Sequence, residues 1–201
     1  VEFRFNKCQW DTGRASGGTA GFSTLTTPEV SCTTDAECTA YNSHCNAIDA
    51  FAWTNEDNLV LFSETNLSTL KNPENAKNLI AVGNALNGTS IVNKGGGGVG
   101  PTADGRRKPD LFAPGTSIVS AGTGSCNTAN LSGTSMACPA AAGAAALVRQ
   151  YFVDGFHPSG AANPADSITP SAALLKSVLI NTCQDMTGVA GYPSDTEGWG
   201  H

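Results

Sequence analysis

The chain has 201 residues, a length that fits one domain or a large part of one; 40% of the residues are hydrophobic and 14% are charged. This composition can bury a core and excludes an intrinsically disordered chain, and the net charge of −6 argues against a nucleic-acid-binding surface. No apolar stretch reaches the ~20 residues that a membrane-spanning helix needs, so no membrane partner is expected.

The N-terminal fifth is rich in cysteine and in small residues. The first five residues (VEFRF) alternate as a strand does, and residues 11–40 predict a long loop. Four of the seven cysteines fall in the first quarter, namely Cys8, Cys32, Cys38 and Cys45. Their loop spacing predicts disulfides and an extracellular or secretory compartment; a metal site is the alternative, although no Cys-x-x-Cys pair exists. The odd count leaves at least one free thiol, and Cys138 is the best candidate.

The central part alternates helical and strand-like patterns. Residues 41–56 predict a helix whose apolar stripe consists of Ala47, Ile48, Phe51 and Ala52. Three continuous apolar runs, at residues 59–62, 79–83 and 117–121, predict parallel strands that are covered on both faces. Residues 95–98 are all glycine and predict a flexible surface stretch.

The C-terminal third predicts two more helices. Residues 136–152 are rich in alanine, and small side chains all round a helix let it pass close to its neighbours in a protein centre. A second helix starts after Pro170, with Ser171 as its N-cap and with Leu174, Leu175, Val178 and Leu179 on its apolar face. Strands that alternate with helices imply one three-layer α/β domain with a mostly parallel sheet.

The most informative string is LSGTSMACP, from Leu131 to Pro139. It places the Ser135 hydroxyl on a tight turn at the start of the alanine-rich helix. The first N–H groups of a helix lack partners and its dipole is positive there, so the N–H of Ser135 is a ready donor to an oxyanion. Gly133 lets a ligand approach the backbone without meeting a Cβ. The pattern indicates a nucleophilic serine, and a simple capping arrangement is the alternative.

Residues 132–139 resemble the nucleophile motif of the subtilisin-like serine proteases, in the large alkaline-protease branch, and Ser135 falls on the catalytic serine of that family. Residues 75–83, 100–115 and 192–200 resemble further segments of the family in the same order. The resemblance runs from about residue 41 to the end. It implies a subtilisin-like fold and an endopeptidase that hydrolyses polypeptide substrates through an acyl-enzyme.

The resemblance also implies a second oxyanion donor. In this family a side-chain amide donates it from an Ala-Ala-Gly-Asn turn after a strand. Here Ser63-Glu64-Thr65-Asn66 follows the apolar run at 59–62, which assigns the donor to Asn66; an ordinary turn asparagine is the alternative. Glu64 and Thr65 replace small residues, and a carboxylate near a developing anion is unfavourable because like charges repel.

The family's catalytic Asp and His motifs, Asp-x-Gly and His-Gly-Thr, are both absent. His44 is the only histidine before Ser135 and lacks the following Gly-Thr, while His157 and His201 match no catalytic position. Asp110, in a Lys-Pro-Asp string, is predicted to anchor a loop by hydrogen bonds.

The absent motifs imply that residues 1–201 form a partial peptidase domain that lacks its N-terminal part. Residues 1–40 would supply a strand and loop, and residues 41–201 the core that bears the oxyanion donor and the nucleophile. The missing part of the catalytic domain would then be a partner of this chain and would supply the catalytic Asp and His.

Two other interpretations stay open. Glu64 and Thr65 favour a catalytically inactive binding or scaffold module, which the intact string around Ser135 disfavours. Cys138 is a weaker candidate nucleophile, since it lies three residues further along the helix without a paired base. The proposed chemistry requires no cofactor; structural calcium is common in the family, but no Asp cluster here predicts a site.

Overall fold

The computed structural model describes residues 39–123 and 126–201. The helices are α1 (Ser43–Thr54), α2 (Thr134–Val153) and α3 (Ala172–Thr182), with short 3-10 helices at Gly88–Ser90 and Pro164–Asp166. The strands are β1 (Val60–Ser63), β2 (Leu79–Ala85), β3 (Lys94–Gly96), β4 (Leu111–Pro114), β5 (Ile118–Ala121) and β6 (Thr128–Leu131). The strand and loop predicted before residue 39 lie outside the described residues, as do Cys8, Cys32 and Cys38. Within the described ranges, no helix is long and apolar enough to cross a bilayer.

A parallel pairing of β1, β2 and β4 organises the described part of the chain. β1 pairs with β2, Val60 opposite Leu79, and β2 pairs with β4, Val82 opposite Leu111. β3 is antiparallel to the last two residues of β2. Because β4 occupies one edge of β2 at that level, β3 lies on the same edge as β1, just beyond the C-terminal end of β1. The loop that follows β1 is therefore held beside the segment that follows β3.

Helices cover both faces of this sheet. β2 is buried along its whole length, as expected of a strand with a helix on either side. The core on the α2 face consists of Ile80, Val82, Leu111, Ala113, Ala137, Ala141, Ala145 and Leu179. The core on the α1 face consists of Cys45, Phe62, Ala76, Leu79 and Ala81. Alternate residues of β2 enter opposite cores. The predicted three-layer α/β architecture with a mostly parallel sheet is confirmed.

The apolar stripe predicted for α1 is wrong in its position. Phe51 is 47% exposed, whereas Cys45 and Asp49 are the buried residues of this helix. The carboxylate of Asp49 accepts hydrogen bonds from the backbone N–H groups of Lys77 (3.0 Å) and Asn78 (2.7 Å). These bonds turn the Asp49 side of the helix toward the sheet, so a polar contact decides which face is buried.

Two further local predictions are wrong. Gly95–Gly98 is no flexible surface stretch, because residues 94–96 form β3 and the next two glycines are buried. A Cβ at Gly98 would lie 2.9 Å from the backbone of Leu70, so close packing explains the glycine. The run at 117–121 forms β5, but it pairs with β6 in an antiparallel hairpin and is half-exposed to exposed.

The two C-terminal helices follow the sequence more closely. Small side chains pack on one side of α2 only; that side includes Ala137, Ala141 and Ala145. α3 begins after Ser171, whose hydroxyl oxygen accepts a hydrogen bond from the Leu174 N–H at 3.2 Å. The predicted N-cap is confirmed, and Leu175 and Leu179 form the buried face of α3.

A buried ion-pair cluster ties β2, β4 and α3 together. Asp110 accepts hydrogen bonds from the Ala81 N–H (2.8 Å) and from the Lys108 ammonium, and its other oxygen lies 3.2 Å from the Lys176 ammonium. Lys108 is only 2% exposed, and burial lowers its pKa while Asp110 favours its charged form. Asp110 therefore anchors the chain at the start of β4, as predicted.

Asp110→Ala should lower the free energy of unfolding by about 3–5 kcal/mol, because it leaves the Lys108 ammonium buried without its partner. Asp57→Ala is the control: Asp57 is 58% exposed and lies 3.9 Å from Arg149, so its loss should cost less than about 1 kcal/mol. Urea unfolding measures both changes, and equal losses in the two variants would contradict this account.

Candidate functional site

Ser135 occupies the second position of α2 and is exposed. Gly133 caps the helix without any side-chain hydrogen bond, at a φ of +146° that few residues other than glycine adopt. The Gly133 carbonyl accepts from the N–H groups of Met136 (3.0 Å) and Ala137 (3.3 Å). Among the described residues, neither the N–H nor the hydroxyl of Ser135 makes a hydrogen bond. Both groups are therefore available to a ligand at the positive end of the helix.

Asn66 lies against this same helix start, although 68 residues separate it from Thr134. Its side-chain oxygen Oδ1 accepts hydrogen bonds from the Thr134 N–H (3.0 Å) and the Thr134 hydroxyl (3.2 Å). A Cβ at Gly133 would lie 3.0 Å from the same oxygen, so glycine is needed for this approach. The amide nitrogen of the exposed Asn66 has no acceptor among the described residues, and it is the donor that remains for a bound molecule.

Thr134 joins the two segments of the site. It is fully buried, and its hydroxyl also donates to the carbonyl oxygen of Glu64. The Glu64 N–H in turn donates to the Val82 carbonyl at 3.1 Å, which extends the pairing of β1 with β2 by one residue. The turn that carries Asn66 is thus fixed both to the sheet and to the first residue of α2. Sequence reasoning missed Thr134, although it stands inside the motif next to Ser135.

The Glu64 side chain is buried, which weakens the charge repulsion that the sequence predicts between it and an oxyanion. It is 2% exposed, and neither carboxyl oxygen has a hydrogen-bond partner among the described residues. Burial, and next the neighbouring Glu74, raise the pKa of Glu64 well above its ordinary value. Burial therefore favours the neutral carboxyl of Glu64, which repels a nearby oxyanion less than a carboxylate would.

Glu74 is a second buried acid beneath the same turn, and it too is 2% exposed. Its carboxylate accepts hydrogen bonds from the backbone N–H groups of Thr65 (2.6 Å) and Lys71. Burial raises the pKa of Glu74 to about 7, against the opposing effect of these two hydrogen bonds. No sequence motif pointed to Glu74, because its partner lies nine residues earlier and outside any regular element.

The histidines of the described residues lie away from the nucleophile. His44 is exposed near the start of α1, where its N–H donates to the Asn42 side chain. His157 is exposed beyond α2, with its ring 6.0 Å from that of Phe152. His201 exchanges backbone hydrogen bonds with Gln184. None contacts Ser135, so the described residues supply no base for this serine.

The disulfide predicted for Cys45 is wrong. Cys45 was expected in a disulfide but is a buried free thiol that donates to the Asn75 side chain at 2.7 Å. Cys138, the predicted exception, is in no disulfide within the described residues, and neither is Cys126 or Cys183. Within residues 39–123 and 126–201, no group of three His, Cys, Asp or Glu is arranged to hold a metal ion.

Glu64→Met should raise the free energy of unfolding near pH 7 by about 1–3 kcal/mol, because it removes a buried carboxyl without partners and keeps an unbranched side chain. The gain should grow with pH. Because the pKa of Glu64 is raised in the folded chain, the unaltered protein loses stability as the pH rises through that pKa, whereas methionine has no group to ionise.

Glu197→Met is the matched control, since Glu197 is also buried but accepts a hydrogen bond from the Met186 N–H at 3.0 Å. It should destabilise the fold. Urea unfolding at about pH 5 and about pH 8 measures both variants, and a loss of stability in Glu64→Met would contradict the assignment.

Comparison with known proteins places this chain among proteases. Two curated relatives in Dictyostelium discoideum are the serine protease/ABC transporter B family proteins tagD and tagB, which are 40% and 43% identical over 104 residues. Each match covers 44% of this chain and 6% of the relative. The chain thus spans only a small part of the length of these relatives.

Solved structures and a family model agree with those matches. The Clostridium perfringens CspB protease is 28% identical with a TM-score of 0.51, over 66% of this chain and 26% of that one. The prenylagaramide maturation protease PagA has a TM-score of 0.55 over 77% of this chain and 50% of that one; at 20% identity it shows the fold alone. The family model described as Subtilase family, Peptidase_S8, matches residues 23–200. Since that match covers most of the sequence, the chain belongs to the subtilase family.

Proposed function

We propose that this chain is the nucleophile-bearing part of a serine endopeptidase domain that cleaves polypeptides through an acyl-enzyme on Ser135. One observation carries the proposal: an exposed serine with a free N–H stands at the start of α2, with the Asn66 side chain hydrogen-bonded to the residue before it. Membership of a protease family supports the same chemistry.

The first step is attack of the Ser135 hydroxyl oxygen on the carbonyl carbon of a peptide bond. The C–O bond forms as the hydroxyl proton passes to a base, and the carbonyl oxygen becomes an oxyanion. The Ser135 N–H and the Asn66 amide nitrogen are the two donors available to it, in a direction that the helix dipole also favours. Collapse of this intermediate breaks the C–N bond, and the amine leaves with the proton. Water then hydrolyses the ester by the same steps.

The proposed mechanism also needs a base, a His, and a carboxylate that orients it, an Asp. We place both in residues outside this chain. The outer edge of β1 has no strand partner among the described residues, and three of its four residues are only half-buried. This edge is suited to a further parallel strand from the missing N-terminal part of the catalytic domain. On its own, the chain would keep only the contribution of binding and oxyanion stabilisation.

An extracellular or secretory location remains part of the proposal. It rests on the cysteine-rich N-terminal quarter, whose first three cysteines lie outside the described residues. Cys45, Cys126, Cys138 and Cys183 form no disulfide among the described residues and so lend this location no support.

The second candidate is a catalytically inactive subtilase that binds or scaffolds a partner. Thr65 and the buried Glu64 favour it, because they stand where small residues would leave more room for a substrate. The exposed Ser135 hydroxyl favours the peptidase instead, since a binding surface has no need of a reactive group there.

A fluorophosphonate probe should distinguish the two candidates. We expect it to label Ser135 in a longer protein that includes the residues encoded upstream, and to label the 201-residue chain much more slowly, because the base is missing. Ser135→Ala should abolish labelling, and Cys138→Ala should leave it unchanged. Absence of labelling in the longer protein would overturn the peptidase proposal in favour of the binding module.

Asn66→Ala should slow peptide hydrolysis by the longer protein by ~10²–10³, with the loss in kcat, because one of two oxyanion donors is removed. Asn87→Ala is the control: Asn87 is exposed in the turn after β2, where its side chain accepts from the Gly88 N–H at 2.7 Å. Equal activity of the Asn66 variant and the control would make Asn66 an ordinary turn residue.

A further inference from the structure

Two buried glutamates, Glu64 and Glu74, flank the turn that carries Asn66, but they are bound differently. Glu74 accepts hydrogen bonds from the Thr65 N–H at 2.6 Å and from the Lys71 N–H, whereas the Glu64 carboxyl has no partner among the described residues. Thr65 and Lys71 stand at the two ends of the loop that follows β1. The Glu74 carboxylate therefore joins the two ends of this loop.

The other contacts of the loop come from the backbone. The Gly98 N–H donates to the Thr65 carbonyl at 3.1 Å, and the Leu70 N–H donates to the Val99 carbonyl at 3.3 Å. Together with the Thr134 contacts to Asn66, these bonds attach the loop to the segment after β3 and to the start of α2. Among the bonds described for Thr65, the one to Glu74 is the only one made to an ionisable group. Protonation of that group therefore acts directly on the residue that precedes Asn66.

We propose that Glu74 is a positioning residue for oxyanion binding: its carboxylate holds the Thr65 N–H and so sets the place of the Asn66 amide. The inference rests on the proposed function, since it gives Asn66 the role of oxyanion donor. A neutral carboxyl is a weaker acceptor than a carboxylate. It also carries a proton that needs an acceptor of its own, so protonation weakens at least one of the two backbone hydrogen bonds.

Burial of Glu74 places this change near neutral pH. Burial raises the pKa of Glu74 to about 7, while the hydrogen bonds from Lys71 and Thr65 and the charges of Lys71 and Lys108 lower it. Glu64, just after β1, is the neighbouring acid. The charges of Lys94 and Lys108 lower the pKa of Glu64, and that of Asp110 raises it. Because Glu74 has two donors and Glu64 has none, Glu74 ionises first, and its charge raises the pKa of Glu64 further.

Ionisation of Glu74 has opposite effects on the site and on the stability of the fold. As the pH rises through about 7, ionised Glu74 tightens the turn and so favours oxyanion binding. The same ionisation costs stability, because the folded-state pKa lies above the unfolded one and the proton-bound form is the more stable fold. Above about pH 7 the oxyanion site is therefore better ordered, while the fold is less stable than at lower pH.

Glu74→Gln tests this positioning role, since glutamine keeps the size and one acceptor oxygen but cannot ionise. Glu197→Gln is the matched control: Glu197 is a buried glutamate that accepts the Met186 N–H in the C-terminal segment, away from Asn66. The readout in the 201-residue chain is the NMR shift of the Thr65 backbone amide and of the Asn66 side-chain amide across the neutral pH range.

We expect both signals to move together with one midpoint near pH 7 in the unaltered chain and in the control, and to stay flat in Glu74→Gln. An Asn66 signal that does not follow the Thr65 signal would overturn the positioning role, as would a midpoint that survives Glu74→Gln. If Glu74→Gln does not fold, Glu74→Asp replaces it: it still ionises but is one methylene too short to reach both N–H groups. The Asn66 signal should then no longer follow the titration, and an unaltered response would overturn the proposal.

Fluorophosphonate labelling of the longer protein links this movement to reactivity. Glu74→Gln should label ~10- to 100-fold more slowly above pH 7, the range expected when a reacting group is displaced by about 1 Å. Glu197→Gln should label at the unaltered rate. Equal rates for Glu74→Gln and the unaltered protein would overturn the positioning role while the peptidase proposal stands. Failure of the unaltered longer protein to label would overturn the peptidase proposal while the NMR result stands.

Discussion

The site depends on the contact between Thr134 and the turn that follows β1. The Thr134 N–H and hydroxyl bind the Asn66 side chain, and the hydroxyl also binds the Glu64 carbonyl. Thr134 is fully buried, so these bonds are shielded from water and each partner would be costly to leave unsatisfied. The contact fixes the start of α2 against the end of β1. Without it, the exposed Ser135 and the Asn66 amide would have no defined relation to each other.

The buried charges of this chain fall into two groups with different consequences. Lys108, Asp110 and Lys176 satisfy one another and bind the backbone, so the cluster locks β4 and α3 to the sheet. Glu64 and Glu74 have no buried cation in hydrogen-bond contact among the described residues, and burial raises the pKa of both. The first cluster therefore holds β4 and α3 together through paired charges. The second pair weakens the fold as pH rises, and it lies directly beneath the candidate site, where natural proteins most often retain unfavourable groups.

The parts of the fold that the sequence predicts are those decided by local chemistry. Ser171 caps α3 because a serine before an apolar stripe satisfies the first N–H groups. β2 is predictable as a buried strand because residues 79–83 are all small or apolar. Partners distant in sequence decide the rest. The run that forms β5 has the composition of a buried strand, yet among the described residues it pairs only with the largely exposed, antiparallel β6. The contact of Glu74 with Thr65 and the inward turn of Asp49 follow no pattern, since they depend on where the backbone of another segment leaves an N–H unpaired.

The surface around Ser135 indicates where a base would have to come from. On the far side of the sheet, the Phe112 N–H of β4 donates to the Gly200 carbonyl at 2.8 Å, whereas β1 keeps one edge without a strand partner among the described residues. On α2, the side away from the sheet exposes apolar groups, with Leu147 68% and Tyr151 41% exposed. An unpaired strand edge and an exposed apolar helix face are both unfavourable in water. A segment that paired with β1 and packed on α2 would cover both. Because the turn after β1 contacts the start of α2 through Asn66 and Thr134, the end of such a segment nearest that turn is the place from which a histidine could reach Ser135.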